Sequence, residues 1–223
     1  MRLRHIKGCE KFIEQASECM TENELINSSE KWKALLVNEA PLHIEIGCGK
    51  GQFIRNMSQK YPEINFIGIE KYMSILMKAI QRKRTSEKEN NINYKNLLFA
   101  CADARSLDKI FAENEVDKIY LNFSDPWPKL RHAERRLTSS FFLNIYNKIL
   151  VPEGCLEFKT DNTELFDYSL QSIAQNKWHI LYKTYDLHSA YENNNNIMSE
   201  YEEKFSKTGK KICMLRAEPV QPL

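Results

Sequence analysis

Asp125 follows the strand-like run Leu121-Asn122-Phe123-Ser124, and Pro126-Trp127-Pro128 come at once after it. A proline biases the residue before it towards extended backbone, and its missing N–H stops a regular strand. The pattern therefore predicts a carboxylate held stiffly at a strand end. Lys129, Arg131, Arg135 and Arg136 come next, with His132 among them and Glu134 as the single acid. Residues 127–136 carry a local +3 in a chain whose net charge is only +2. The positive field is thus local, which suggests an anionic partner held at one place. Cations at this spacing suit phosphates, and Trp127 can stack on a base. Core packing is the competing role for Trp127, and a solvated face is the competing role for the cations.

A second group of residues precedes this one. "EIGCGKG" (45–51) leaves an apolar run and enters an amphipathic one. Gly47, Gly49 and Gly51 allow a tight turn and close approach of the backbone to a ligand. The pattern is G-x-G-x-G. A dinucleotide fingerprint counted from Gly47 would need a third glycine where the chain has Gln52, which argues against a nicotinamide oxidoreductase. Glu45, just before the loop, would repel a pyrophosphate but suits an ammonium or sulfonium group. Glu70 ends the next apolar run, where a carboxylate can accept from both hydroxyls of a ribose. Asp103 ends the run after that, within reach of an adenine amino group. An acid-led glycine loop followed by a strand-end Glu resembles the class I methyltransferases and implies S-adenosylmethionine as cofactor, with S-adenosylhomocysteine as product.

These residues need a scaffold that brings strand ends to one edge. Residues 42–47, 64–70, 96–103, 116–123 and 155–161 read as strands, with room for helices at 51–60, 72–84, 105–112, 138–150 and 163–175. Such alternation predicts an α/β, doubly wound Rossmann-like sheet, mainly parallel. "WHILYKTYDL" and "KKICMLRAE" read as two further strands joined by a long Asn-rich loop, which predicts an antiparallel strand at the sheet's end. Residues 1–40 read as an N-terminal extension packed on or flanking a domain of residues 41–223, and "SSEKWKALLVNE" as a helix capped near Ser29.

With 223 residues, 42% of them hydrophobic and 28% charged, the chain is long enough for a sizeable core. No apolar run approaches the roughly 20 residues that span a bilayer. "MRLRHIKGCEKF" lacks the apolar middle of a secretory signal. A cytoplasmic address without a membrane partner is expected. The six cysteines contain no C-x-x-C pair, so reduced structural thiols are expected and no metal site.

Taken together, "EIGCGKGQFI", "FIGIE", "LNFSDPWPKLRHAERRLT", "FKTDN" and "IMSEYEEKF" resemble the bacterial tRNA (guanine-N7-)-methyltransferase family over nearly the whole chain. The resemblance implies methyl transfer from S-adenosylmethionine to N7 of guanine 46 in the tRNA variable loop. It also implies that Glu45, Glu70, Asp103 and Asp125 line the cofactor and reaction site. Lys129, Asp161, Ser199, Glu200, Tyr201 and Glu202 would then contact substrate; beside the resemblance, the charge run of Lys129, Arg131, Arg135 and Arg136 itself fits phosphate contacts. Leu130 and Glu134 depart from the family pattern, which carries lysines there.

The chemistry is compatible. N7 has a lone pair and no proton, so alignment and charge stabilisation suffice and no base is required. Guanine N1–H and its amino group form a donor pair that a carboxylate can hold, and either Asp125 or Asp161 can serve. Asp125 is the candidate catalytic residue. A non-catalytic RNA-binding module remains the competing function. No obligatory protein partner is expected, and the chain is read as a monomer or homodimer.

Overall fold

The computed structural model describes residues 5–27, 33–37 and 40–220. The helix start expected near Ser29 lies outside the described residues. The chain divides into two units, Met1–Phe111 and Ala112–Leu223.

In the first unit, β1 (Cys19–Thr21), β2 (Leu42–Ile46), β3 (Asn65–Ile69) and β4 (Leu97–Cys101) stand in the order β1-β4-β3-β2. All pair in parallel, with Ile44 opposite Ile67, Ile67 opposite Leu98 and Cys19 opposite Phe99. Every residue of β3 and β4 is buried, as parallel strands covered on both faces require. Parallel neighbours need crossovers, supplied by α3 (Gln52–Lys60) and α4 (Met73–Asn90). Before them come α1 (Cys9–Glu14) and α2 (Glu22–Asn27).

The sequence pattern places the end of the second crossover near residue 84, but α4 runs six residues further. The added turn is held by a Lys83–Glu87 pair at 2.7 Å, and Asn91 closes the helix at φ 51°. Arg84 also clamps Glu18 with two bonds, Nε to Oε1 at 2.6 Å and Nη2 to Oε2 at 2.9 Å. This fork ties the N-terminal segment to α4. The helix expected at 105–112 is shorter: a 3₁₀ turn at Ala104–Ser106 leads into α5 (Leu107–Ile110).

In the second unit, β5 (Val116–Asn122), β6 (Leu150–Thr160), β7 (Trp178–Thr184) and β8 (Cys213–Pro219) stand in the order β5-β6-β8-β7. β5 and β6 are parallel, joined through α6 (Ser140–Ile149); α7 (Thr163–Gln175) follows β6. β8 returns antiparallel to both neighbours, with Phe158 opposite Leu215 and Ile180 opposite Ala217. The antiparallel end is therefore as expected. β6 begins five residues earlier than the sequence suggests. The long β7–β8 connection carries α8 (Glu200–Ser206). Leu187, Ile212 and Met214 form a small core under that connection, with Phe123 and Tyr182 packed on it.

Candidate active site

The first unit gathers its chemistry at the C-terminal ends of its parallel strands. After β2 the chain turns through Gly47, Gly49 and Gly51, all left-handed at φ 75°, 58° and 72°. The N–H groups of Gly47 and Cys48 both donate to the Ile69 carbonyl, at 2.8 and 3.0 Å, which pins the loop to β3. A Cβ at Gly49 would meet nothing within 4 Å, whereas one at Gly51 would press on Ala79 at 3.1 Å and the Phe99 ring at 3.2 Å. Gly51 serves packing, and Gly49 leaves an open approach to backbone.

Glu45 lies on β2 opposite Gly68 and is only 2% exposed. Glu70, directly after β3, is buried, and its Oε1 accepts the Tyr72 N–H at 3.0 Å. Burial holds its carboxyl above the usual carboxylate range, against the lowering effect of backbone N–H groups of Tyr72, Gly49 and Lys71. Asp103 follows β4, half-buried, and its Oδ1 accepts the Arg105 N–H at 3.0 Å. Its own N–H donates to Glu22 Oε2 at 2.9 Å, and the Ser106 hydroxyl donates to Glu22 Oε1 at 2.7 Å. Glu22 therefore holds the strand end that carries Asp103. Nothing in the sequence marks Glu22 for this role.

An open glycine turn and strand-end carboxylates, two of them buried, fit a cationic nucleoside better than a diphosphate. Glu45, Glu70 and Asp103 are the residues that could hold one.

The second unit carries its candidate residues on a turn after β5, just past β6 and on the β7–β8 connection. Beyond β5, Phe123 is left-handed at φ 53° and its N–H donates to the Lys159 carbonyl at 2.9 Å. Asp125 is exposed. Trp127 is again left-handed, at φ 42°. Such conformations are uncommon outside glycine and need support from their surroundings. Arg136 supplies it: only 9% exposed, it donates from Nε to the Pro126 carbonyl at 3.0 Å and from Nη2 to that of Trp127 at 3.2 Å. Its guanidinium also lies 4.2 Å from the Tyr168 ring centroid. Arg136 thus splints the turn instead of joining the outward cations. Lys129, Arg131 and Arg135 are exposed. Arg135 covers the Trp127 ring at 5.0 Å, and His132 meets it edge-on at 5.7 Å.

Asp161, one residue past β6, accepts the Tyr201 hydroxyl at 3.1 Å through Oδ2 and pairs there with Lys210. The shared bond raises the Lys210 ammonium above its ordinary value. Tyr201 is 39% exposed and sits among Phe205 at 4.2 Å and Phe123 at 4.8 Å. Ser199 caps α8, its hydroxyl accepting the Glu202 N–H at 3.2 Å, while Glu200 is half-buried. Glu202 is fully enclosed. Its Oε2 accepts from Lys159 Nζ at 3.0 Å, and its Oε1 faces His188 Nε2 at 3.0 Å and Asn196 Nδ2 at 2.6 Å. Burial alone would raise its carboxyl, but Lys159, His188 and Asn196 together hold it below the usual range. Lys159, His188 and Asn196 carry no mark in the sequence that points to this cluster. No helix among the described residues is long and apolar enough to cross a membrane.

The fold is that of solved methyltransferases. "Structure of an Antibiotic Related Methyltransferase" aligns over 90% of this chain and 95% of its own, with a TM-score of 0.62 at 19% identity. A variant of a 16S rRNA (adenine(1408)-N(1))-methyltransferase from Catenulisporales acidiphilia, solved with cosubstrate SAM, aligns over 92% of this chain and 95% of its own, with a TM-score of 0.54 at 13% identity. The family model described as "Putative methyltransferase" matches residues 39–215. The tRNA (guanine-N(7)-)-methyltransferase of Lachnoclostridium phytofermentans is 48% identical over 97% of this chain and 98% of its own length. The chain belongs to the tRNA (guanine-N(7)-)-methyltransferase family.

Proposed function

We propose that the chain transfers the methyl group of S-adenosylmethionine to N7 of guanine 46 in the variable loop of tRNA, releasing S-adenosylhomocysteine. The observation that carries this reading is the set of strand-end groups in the first unit: a glycine turn open at Gly49, with Glu45, Glu70 and Asp103 around the same strand ends. Family membership supplies the tRNA guanine.

The bound cofactor supplies an electrophilic methyl on a sulfonium. In the transfer the N7 lone pair forms the new N–C bond while the C–S bond breaks, and its electrons stay on sulfur. The positive charge passes to the guanine. Glu45 would face the cationic end of the cofactor, Glu70 would take the ribose hydroxyls, and Asp103 would take the adenine amino group. Asp125 holds guanine N1–H and its amino group, and stabilises the base as it gains charge. Asp161 is the less available acid, because Tyr201 and Lys210 already occupy its Oδ2. Lys129, Arg131 and Arg135 hold phosphates, and Ser199, Glu200, Tyr201 and Glu202 belong to the segment that receives the substrate. Residues 41–223 form the catalytic domain, with residues 1–40 as an N-terminal extension packed on or flanking it, whose Cys19–Thr21 strand pairs with β4. The enzyme works in the cytoplasm as a monomer or homodimer, without an obligatory protein partner.

The test is incubation of the protein with methyl-labelled cofactor and an unmodified tRNA transcript, followed by mapping of the labelled nucleotide. Label at N7 of guanine 46 is expected. Label at a cytosine or at an adenine amino group overturns the reading.

A further inference from the structure

Lys159 and Glu202 are 1% and 0% exposed at the side chain, and they meet at 3.0 Å. Each is saturated. Lys159 Nζ also donates to Asn196 Oδ1 at 2.9 Å and to the Ile197 carbonyl at 3.0 Å, and Glu202 also engages His188 and Asn196. The partners span the whole β7–β8 connection, from the 3₁₀ turn at Leu187–Ser189 to α8, and fasten it to one lysine of β6. Lys159 stands two residues before Asp161, and Glu202 stands next to Tyr201, whose hydroxyl bonds Asp161 at 3.1 Å. Lys159 also offers its carbonyl to the Phe123 N–H at 2.9 Å, just ahead of Asp125. One buried residue thus touches the backbone or segment behind both acids considered for the base, Asp125 and Asp161.

An oxygen with no solvent exposure and its neighbours already in place has no room for an RNA donor. Burying an ion pair also gains little stability over an apolar pair of similar volume, whereas breaking one is costly. In some proteins such a pair fixes the register between the elements that carry it.

We propose that Lys159 and Glu202, with His188 and Asn196, form a buried lock that positions the β7–β8 connection against β6, so that Glu202 serves tRNA recognition as a positioning residue and does not itself touch the RNA. The proposal rests on the tRNA reading only for its effect on substrate; the lock itself is a property of the free protein.

The test compares the parent, Glu202→Gln and the double variant Lys159→Met/Glu202→Met. Three readouts are taken: amide hydrogen exchange without RNA, affinity for S-adenosylhomocysteine, and the KM for an unmodified tRNA transcript. The lock predicts that Glu202→Gln speeds exchange across residues 187–206 by about tenfold or more in the free protein, because a buried pair has been broken. The KM for tRNA should rise with it, while cofactor affinity stays parental. The double variant should regain protection and most of the KM, since an apolar pair can fill the same space. Two results overturn the proposal. One is a raised KM in Glu202→Gln with exchange unchanged, which would make the carboxylate a direct RNA ligand. The other is a double variant that is folded and protected yet as impaired in KM as Glu202→Gln. Should Glu202→Gln fail to fold, the double variant decides alone: parental protection with KM near parental supports the lock, and parental protection with a strongly raised KM, or absent protection, overturns it. Should the parent fail to methylate the transcript, the functional reading falls while the exchange arm still decides the lock.

Discussion

The two units of the chain hold their candidate residues by different means. In the first unit, position comes mainly from backbone: parallel strands end at one edge, glycines turn left-handed, and N–H groups of Gly47, Cys48 and Tyr72 fix the loop and Glu70, with the Glu22 side chain as the exception at Asp103. In the second unit, position comes from side chains. Arg136 splints the turn behind Asp125, Lys159 and Glu202 hold the β7–β8 connection, and Tyr201 reaches Asp161. A backbone-built half tolerates changes in most side chains but few changes at its turns. A half held by buried side chains fails when one buried partner is removed.

The largest effect that separates the halves should come from Asp125→Asn. This change keeps the shape but loses the charge and turns one acceptor into a donor. Losing one preorganised electrostatic group costs about 10²–10³ in rate. Single-turnover methylation at saturating cofactor and tRNA should fall by that much, while tRNA affinity changes little because phosphate contacts supply most of it. A parental rate would make Asp125 a turn residue and transfer its role to Asp161.

Glu70→Ala should act on the other half alone. Hydrogen bonds to a charged group are worth about 1.5–3 kcal/mol each, so calorimetry with S-adenosylhomocysteine should show roughly ten- to a hundredfold weaker binding. The pH dependence has a fixed sign. Burial raises the Glu70 carboxyl above 4.5, so the ionised acceptor is present above that raised value and is lost as pH falls through it. Parental affinity should therefore weaken on acidification sooner than an ordinary glutamate would cause, and Glu70→Gln should flatten that limb. Unchanged affinity in Glu70→Ala would remove the ribose role.

What the sequence makes legible divides between backbone and side chains in both units. Alternating apolar runs and glycines leave a local trace, so β2 to β8, α3, α6, α7 and the turn at Gly47–Gly51 can be read from it. β1 cannot, since three residues show no period, and its partner β4 is some eighty residues away. Long-range side-chain pairs leave no trace at all. Glu22 meets the Asp103 N–H across 81 positions, and Lys159 meets Glu202 across 43. Arg135 and Arg136 are chemically alike and adjacent, so only the fold could send one outward and the other inward.

That adjacent pair sharpens the comparison further. Arg136→Ala removes two bonds to the carbonyls of a turn that holds Trp127 at positive φ, and it uncovers Tyr168. A fall of about 2–4 kcal/mol in unfolding free energy is expected, together with lower turnover because Asp125 is no longer held. Denaturant unfolding checks the first and single-turnover methylation the second. A stable, active Arg136→Ala would show that the prolines alone hold the turn.

The smallest effect belongs to the outward cations, and salt is the probe that isolates it. Arg131 and Arg135 are exposed, so replacing both with alanine should leave unfolding and cofactor affinity close to parental. Removing a phosphate ligand should lower the log–log salt slope of tRNA binding by roughly 0.7–0.9 for each cation taken away. Arg135 also covers Trp127, so Arg135→Ala alone frees one face of that ring for a base, which can offset part of the weakened affinity without restoring the slope. Slope and affinity should therefore separate at Arg135 and move together at Arg131. If the double variant keeps the parental slope, the phosphates lie elsewhere, and Lys129 is the next cation to test.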